Sequence, residues 1–251
     1  MNLKNNSLLI NSILIIVSTT IIGTILHELA HYFTALHFNM QPHLHHNYVH
    51  NDVVGTPQQE VLMVAAGPMF SLLFGIVVSL FSIKYIKPSL LKMFLLWLGM
   101  GCLLVFFGYI FIAPVAKNGD TGKIFEYFAV PMYLTVILSI ASFIFMNWLI
   151  SMFAYQFVFY KNEETFSLKK NIRQLFLYPI LLSIVIMTLL NLPTKSFISL
   201  SAVLFLPMTY FSAMGKYKSL KITDANLVIN KVPVVLVITT ILLIAIFRYL
   251  I

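Results

Sequence analysis

The residues best suited to chemistry lie in the first apolar segment, where His27, Glu28 and His31 form a His-Glu-x-x-His pattern. Residues four apart lie on one face of an α-helix, so the two histidines can offer imidazole nitrogens to a single Zn²⁺ ion. Glu28 follows the first histidine, which leaves its carboxylate beside the ion, where it can take a proton from water. The spacing therefore predicts two metal ligands and a general base.

The surroundings of this pattern strengthen the prediction. An uncharged apolar run from Leu8 to Leu26 precedes it. Ionisable side chains at membrane depth are costly unless they are paired, bound to metal or facing a wet cavity, so an ordinary solvated helix face is excluded. The remaining alternative is a tilted helix whose polar residues emerge among lipid headgroups, and we favour the metal site over it.

Composition indicates the class of protein that must position these groups. Of 251 residues, 60% are hydrophobic and only 10% are charged, which is typical of an integral membrane protein. The net charge of +8 is better explained by loops at an anionic leaflet than by nucleic acid, so we expect the lipid bilayer and no nucleic acid as partners. Cys102 is the sole cysteine, which excludes an intramolecular disulfide and a thiolate metal cluster.

The apolar segments predict an all-α multi-pass membrane protein of about seven transmembrane helices. The sixth segment is short and contains Pro207, so it could instead pair with the fifth as a hairpin that does not cross, which would leave six spans. The segments are 8–36, 60–82, 93–114, 131–159, 173–192, 196–213 and 232–250.

Lys and Arg positions predict how these spans are oriented. With a cytoplasmic N-terminus, 12 of the 16 basic residues fall on the cytoplasmic side and four on the outer side, as the positive-inside rule requires. His27 lies 19 residues beyond Leu8, about 28 Å of helix rise. We therefore expect a multi-pass protein of the plasma membrane whose metal site lies towards the outer side.

The segment 39–59, between the first two spans, has no Lys or Arg but contains four histidines. Their spacing is closer to strand alternation than to helix, and Gly55 and Pro57 end the pattern, so we predict a short β-hairpin or re-entrant loop. The histidines could be further metal ligands, substrate contacts or members of a polar loop that titrates near neutral pH, the commonest case. They are His43, His45, His46 and His50.

A catalytic zinc usually takes a third protein ligand. On the predicted topology, the acids on the same side as His27, other than the base, are Asp52, Glu60, Asp120 and Glu126. Asp120 is favoured over each of the others because it lies in a glycine-flanked turn at the mouth of a span. An ordinary helix N-cap or loop acid is its alternative role.

The order of three motifs resembles the site-2 protease family of intramembrane zinc metalloproteases, over residues 20–125 or roughly half of the chain. The second motif offers small residues to a neighbouring helix and a proline that can free a carbonyl. The motifs are His27-Glu28-Leu29-Ala30-His31, Ala65-Ala66-Gly67-Pro68 and Gly119-Asp120.

The resemblance implies one Zn²⁺ held by His27, His31 and Asp120, with Glu28 activating water to cleave a peptide bond of a membrane-spanning or membrane-associated substrate. Residues 1–125 would form the metalloprotease core, and 126–251 would add helices to the same membrane domain. Residues expected to contact substrate are Gly67, Pro68, Asn118 and His45.

The chain departs from the family in three respects. Asp120 lies in Asn-Gly-Asp-Thr-Gly rather than the family's usual Asn-Pro-Asp-Gly or Leu-Asp-Gly. No segment is long enough for the PDZ domain that many relatives carry. The charge bias directs the site outwards, whereas family members usually face it towards the cytosol.

Two other functions are open. A diiron membrane oxygenase is suggested by the His27-x-x-x-His31 and His43-x-His45-His46 spacings, but such sites use about eight histidines over several segments and this chain has seven, all between 27 and 50. A non-catalytic membrane protein, either a transporter or a metal- or peptide-binding protein, is the second. Metal analysis and peptide cleavage distinguish these functions from a zinc protease.

Overall fold

The computed structural model describes residues 6–161, 166–192, 204, 206–222 and 227–250. The chain folds as an all-α multi-pass membrane protein, as its composition predicts. Its helices are α1 (Ser7–His37), α2 (Pro57–Tyr85), α3 (Leu90–Ile112), α4 (Asp120–Tyr127), α5 (Met132–Met152), α6 (Ala154–Phe157), α7 (Leu168–Ile172), α8 (Tyr178–Leu190), α9 (Tyr210–Ser219) and α10 (Val234–Tyr249). A π-helical turn, Arg173–Leu177, joins α7 to α8, and a 3₁₀ turn, Leu206–Thr209, precedes α9.

Five of the predicted spans coincide with helical segments that are long and apolar enough to cross a membrane. In the described part of the chain these are Ser7–His37, Pro57–Tyr85, Leu90–Ile112, Met132–Phe157 and Leu168–Leu190. The seventh predicted span corresponds to the shorter apolar helix α10. Half of the sixth lies outside the described residues, and its described end comprises the 3₁₀ turn that contains Pro207 and the start of α9. The count of seven spans therefore stays a prediction.

Local sequence signals explain where several helices begin. Thr56 and Gln59 form a reciprocal capping box at the start of α2, and Pro57 occupies its first turn, where a missing N–H costs nothing. The Ser89 hydroxyl accepts a hydrogen bond from the Lys92 amide at the start of α3. Prolines 131 and 233 immediately precede α5 and α10. These signals determine the residues at which α2, α3, α5 and α10 begin.

The loop after α1 is a β-hairpin, as predicted. Strands β1 (Pro42–Leu44) and β2 (Val49–Asn51) pair antiparallel, with His43 opposite His50. Asn39 and Gln41 have positive φ angles of 57° and 53°, which turn the chain sharply from the helix into the hairpin. A second pair of short strands, β3 (Tyr160–Lys161) and β4 (Leu227–Val228), is parallel.

The main apolar core surrounds Trp97 on α3. The indole ring packs against Phe157, Phe176 and Tyr210, with ring centroids 5.0–6.2 Å apart. Helix α3 continues from this cluster to Tyr109, about 18 Å further along its axis. The helix therefore connects the aromatic core around Trp97 with Tyr109, whose ring lies against His27.

Candidate metal centre

Three side-chain atoms from two separate parts of the chain converge at one point. The distances are 3.1 Å from His27 Nε2 to Asp120 Oδ2, 3.2 Å from His31 Nε2 to the same oxygen, and 3.1 Å between the two Nε2 atoms. Each residue offers a ligand atom, and the group meets the geometric requirement for holding a metal ion. The predicted helical pairing of His27 with His31 is therefore confirmed, and Asp120 lies beside them.

Helix α2 fixes the orientation of both imidazole rings. The Nδ1 atom of His27 lies 3.0 Å from the Ser71 hydroxyl, and Nδ1 of His31 lies 2.7 Å from the Met63 carbonyl oxygen. A carbonyl can only accept, so His31 Nδ1 must be the donor of that hydrogen bond. A second partner of this kind is what fixes the tautomer and ring orientation of histidines that bind metals.

The hydrogen-bonding pattern indicates that a cation belongs between these groups. When His31 is neutral and donates from Nδ1, its Nε2 atom carries a lone pair directed at the Asp120 carboxylate, which is also an acceptor. Burial alone would raise the pKa of the Asp120 carboxyl, but hydrogen bonds from His27 and His31, which need a proton on each Nε2 atom, outweigh it and hold the pKa well below its usual range. Two acceptors 3.2 Å apart repel each other, so a proton or a metal ion must lie between the Asp120 oxygen and the imidazole nitrogen.

Gly67 allows α2 to lie directly against the two rings. A Cβ atom at this position would lie 2.3 Å from His31 Nε2 and 2.7 Å from His27 Nε2, both far inside van der Waals contact. Pro68 follows inside the helix and lacks the N–H that would bond the Val64 carbonyl. The Ala-Ala-Gly-Pro segment thus makes room for the cluster, and Gly67 is close enough to it to be indispensable.

Asp120 is the first residue of α4, where the N-terminal end of the helix favours a carboxylate. Gly119, not Asp120, is the N-cap, and the aspartate side chain reaches the histidines instead of capping its own backbone. Close packing supports this turn, because a Cβ at Gly122 would lie 2.4 Å from the Ala116 carbonyl oxygen. Both glycines around Asp120 therefore serve the geometry of the turn.

No family model, curated protein or solved structure matches the chain.

Glu28 lies at the wall of a cavity that opens from the cluster. Its side chain is buried, and it is close enough to His27, His31 and Asp120 to interact with them electrostatically. The cavity has a volume of about 570 Å³ and follows one face of α1 from His31 back to Ile16, about 22 Å of helix. The carboxylate thus faces a space large enough to admit part of a substrate.

Of the other two residues expected to contact substrate, Asn118 lines the cavity and His45 does not. Asn118 lines the cavity together with Gly119 and Asp120. His45 stacks on Tyr48 and lines an open recess on the outer face of the hairpin rather than the cavity. Its contact with substrate stays a prediction that this placement does not favour, whereas its neighbour Tyr48 does line the cavity.

Several groups around the cluster were not predicted. Tyr109 stacks on the His27 ring with centroids 5.3 Å apart and planes 4° from parallel, and it lines the cavity. Ser71 and the Met63 carbonyl are the other two. Four-residue spacing offers a partial signal, because Met63, Gly67 and Ser71 are four apart and share one face of α2.

Proposed function

We propose that the chain is an intramembrane zinc metalloprotease that hydrolyses a peptide bond of a membrane-associated or exported substrate. The observation that carries this proposal is the convergence of two imidazole nitrogens and one carboxylate oxygen beside Glu28, at the wall of a cavity. Two histidines and a carboxylate are a ligand set of catalytic zinc sites, in which one position is kept for water or substrate. Cys102 is the sole cysteine in the chain, which leaves nitrogen and oxygen as the available donor types.

The roles of the residues follow from their placement. Zn²⁺ held by His27, His31 and Asp120 would lower the pKa of a water molecule to about 7 and polarise the scissile carbonyl. Glu28 accepts the proton of the attacking water and returns it to the leaving amine as the peptide bond breaks. Ser71 and the Met63 carbonyl would keep both rings aligned, because each contacts the Nδ1 atom and leaves Nε2 for the ion.

The cavity supports a substrate that lies along α1 within the bilayer. Thr20 and Thr24, one turn apart, line the cavity among apolar side chains such as Ile16 and Leu104. A transmembrane helix must be locally unwound before its carbonyls can be attacked, because they are hydrogen-bonded in lipid. The hairpin residues Asn47–Val49 border the same cavity, and strand addition to the hairpin would hold an extended segment there.

We infer the orientation from charge alone. The 12 basic residues assigned to the cytoplasmic loops favour a cytoplasmic N-terminus and a site near the outer surface of the plasma membrane. Cysteine accessibility labelling in intact cells, with single cysteines placed in the hairpin and in the 84–92 loop of a Cys102→Ala background, tests it. Labelling of the hairpin position alone is expected.

The decisive experiment uses purified full-length protein reconstituted in liposomes with a defined pool of synthetic apolar 20-residue peptides. Mass spectrometry is expected to detect products that disappear when zinc is chelated and return when zinc is restored. The Glu28→Gln variant should retain zinc but cleave about 10²–10⁴-fold more slowly, because a general base is lost. Glu60→Gln is the matched control, because the Glu60 carboxylate accepts a hydrogen bond from the Gly55 amide, not from the cluster.

Three outcomes would contradict the proposal. Equal cleavage by the Glu28→Gln variant and the wild-type protein would remove the general base from the mechanism. A wild-type protein that binds zinc yet yields no zinc-dependent product from the pool would favour the non-catalytic alternative. Stoichiometric iron in place of zinc would favour the diiron alternative, which the hairpin geometry does not support, because His43 pairs with Asp52 rather than with the buried cluster.

A further inference from the structure

The hairpin carries a second group of metal-binding side chains on one face. His43 on β1 lies opposite His50 on β2, and residues opposite each other in antiparallel strands share a face. His45 and Asp52, each one residue beyond the end of its strand, line the same recess as these two histidines. This group is separate from the buried cluster and takes no part in the proposed hydrolysis.

Asp52 lies between the two facing histidines. Its Oδ2 atom is 2.9 Å from His43 Nε2, and its Oδ1 atom is 3.5 Å from His50 Nε2. The centroids of the two imidazole rings are 6.4 Å apart, and the ring planes are 29° from parallel. Both rings have Nε2 within 3.5 Å of the same carboxylate. The arrangement repeats the donor set of the buried cluster, two imidazoles and one carboxylate, on a hairpin.

Two further observations favour a cation rather than a set of hydrogen bonds. The three side chains are about half exposed or more, at 60%, 64% and 49%, and water competes for hydrogen bonds at such positions. Segment 39–59 contains no Lys or Arg, so no basic side chain of its own competes for the carboxylate. Opposite residues in a two-stranded sheet are close enough for both rings to turn towards one ion.

We propose that His43, His50 and Asp52 form a surface site for Zn²⁺ or a similar divalent transition metal, with His45 available as a further ligand. Imidazole nitrogen favours zinc, copper and nickel over magnesium or calcium. An ion bound here ties β1 to β2 next to residues Asn47–Val49, which border the cavity. Occupancy of the site therefore stiffens one wall of that cavity. The inference stands whether or not the chain is a protease.

The test is a calorimetric titration in which zinc is added to metal-free, full-length protein in detergent. The wild-type protein should bind two ions per chain in separate phases, and the double variant His43→Ala/His50→Ala should lose the weaker phase. His37→Ala is the matched control, because His37 is also an exposed histidine but lies at the end of α1, and it should keep both phases. All three substitutions are at exposed positions, so folding should be preserved.

Two spectroscopic readouts complete the test. Copper(II) added as a probe to a His27→Ala/His31→Ala background, which lacks the imidazoles of the buried site, should show electron paramagnetic resonance couplings to two nitrogens, and these should vanish when His43→Ala and His50→Ala are added. Zinc should slow amide hydrogen exchange of residues 42–51 in the wild-type protein but not in the double variant.

The result that would overturn the proposal is a double variant whose titration and exchange match those of His37→Ala. Failure of the buried site is distinguishable, because it would appear as a missing tight phase in the wild-type protein while the hairpin phase remained.

Discussion

The chain contains two clusters of two histidines and one aspartate, and they differ in how the surrounding structure holds them. In the buried cluster, His27 and His31 are 2% and 5% exposed, and each ring is held at Nδ1 by α2. In the hairpin cluster, the His43 and His50 side chains are more than half exposed. The imidazole rings of the buried cluster are therefore held in orientation by α2, whereas those of the hairpin cluster are exposed to solvent.

The proposed function assigns a reaction to the buried cluster alone, and the two clusters differ in what they have beyond their ligands. Preorganised ligands pay little conformational entropy when they bind an ion, whereas exposed side chains must give up rotamer freedom. The buried cluster also adjoins a cavity and a further carboxylate, that of Glu28, which is not one of the three ligand residues. The hairpin cluster has no such base nearby on its own strands, so it is suited to binding and not to hydrolysis.

The largest expected effect separates the two aspartates. Asp120→Asn should lower zinc affinity at the buried site by more than the 10–100-fold that loss of an outer-shell partner costs, because a charged ligand is removed. Asp52→Asn should leave the tight site unchanged. Zinc retained after dialysis against a competing chelator measures both variants. Equal retention by the two would contradict the assignment of Asp120.

Gly67→Ala should have the next largest effect. The added Cβ would lie 2.3 Å from His31 Nε2, so the rings or the helices must shift, at a cost of about 1–3 kcal/mol typical of overpacking. Gly215→Ala is the control, because a Cβ there meets nothing within 4 Å. Thermal unfolding with and without zinc compares them. A Gly67→Ala protein as stable and as rich in zinc as the control would show that α2 does not constrain the site.

Ser71→Ala removes the hydroxyl that orients His27 and should weaken zinc binding about 10–100-fold. Ser79→Ala is a matched control on the same helix, because among the described residues the buried Ser79 hydroxyl has no hydrogen-bond partner. Competition titration with a chromogenic chelator measures both affinities. If both variants bind zinc equally, the orientation of the His27 ring is supplied by something other than Ser71.

The smallest effect concerns His46, which joins the hairpin to the last helix. Its ring packs edge-on against Phe247, and its amide donates to the Leu250 carbonyl. Burial, followed by the nearby Arg248 cation and His45, lowers the pKa of His46 from its ordinary value near 6.5. The folded protein therefore resists protonation of this ring, so stability is full above pH 6.5 and is lost as pH falls below it.

His46→Phe should flatten this pH dependence, because phenylalanine keeps the contact with Phe247 but does not titrate. Thermal unfolding of metal-free protein between pH 5 and 8 compares the variant with wild type. His37→Phe is the control, since His37 is an exposed histidine at the end of α1 and is not among the groups that lower the pKa of His46. An unchanged slope in His46→Phe would show that His46 does not contribute to acid sensitivity.

Sequence predicts well those features that depend on periodicity. Four-residue spacing is enough to bring His27 and His31 together, and runs of apolar residues locate five long helices. Strand alternation predicts the hairpin that pairs His43 with His50. In each case the relevant neighbours are close in sequence, so the geometry of a single element determines the contact.

Contacts between distant elements were harder to predict. Asp120 is one of four acids that the predicted topology places on the same side as His27, and its glycine-flanked turn merely favours it. Tertiary packing is what separates it from Glu60, which accepts a hydrogen bond from the Gly55 amide instead. Ser71 lies 44 residues from His27, and no periodic signal joins them. His45 lies outside the cavity for the same reason, because the packing of the hairpin against the bundle decides which of its faces turns inward.

Zinc-edge X-ray absorption on purified protein carrying His43→Ala and His50→Ala tests the central claim most directly, because the hairpin then contributes no signal. The proposed site predicts two imidazole nitrogens and one carboxylate oxygen at about 2.0–2.2 Å, with no sulfur. A zinc-free protein, or a zinc spectrum without imidazole scattering, would contradict it.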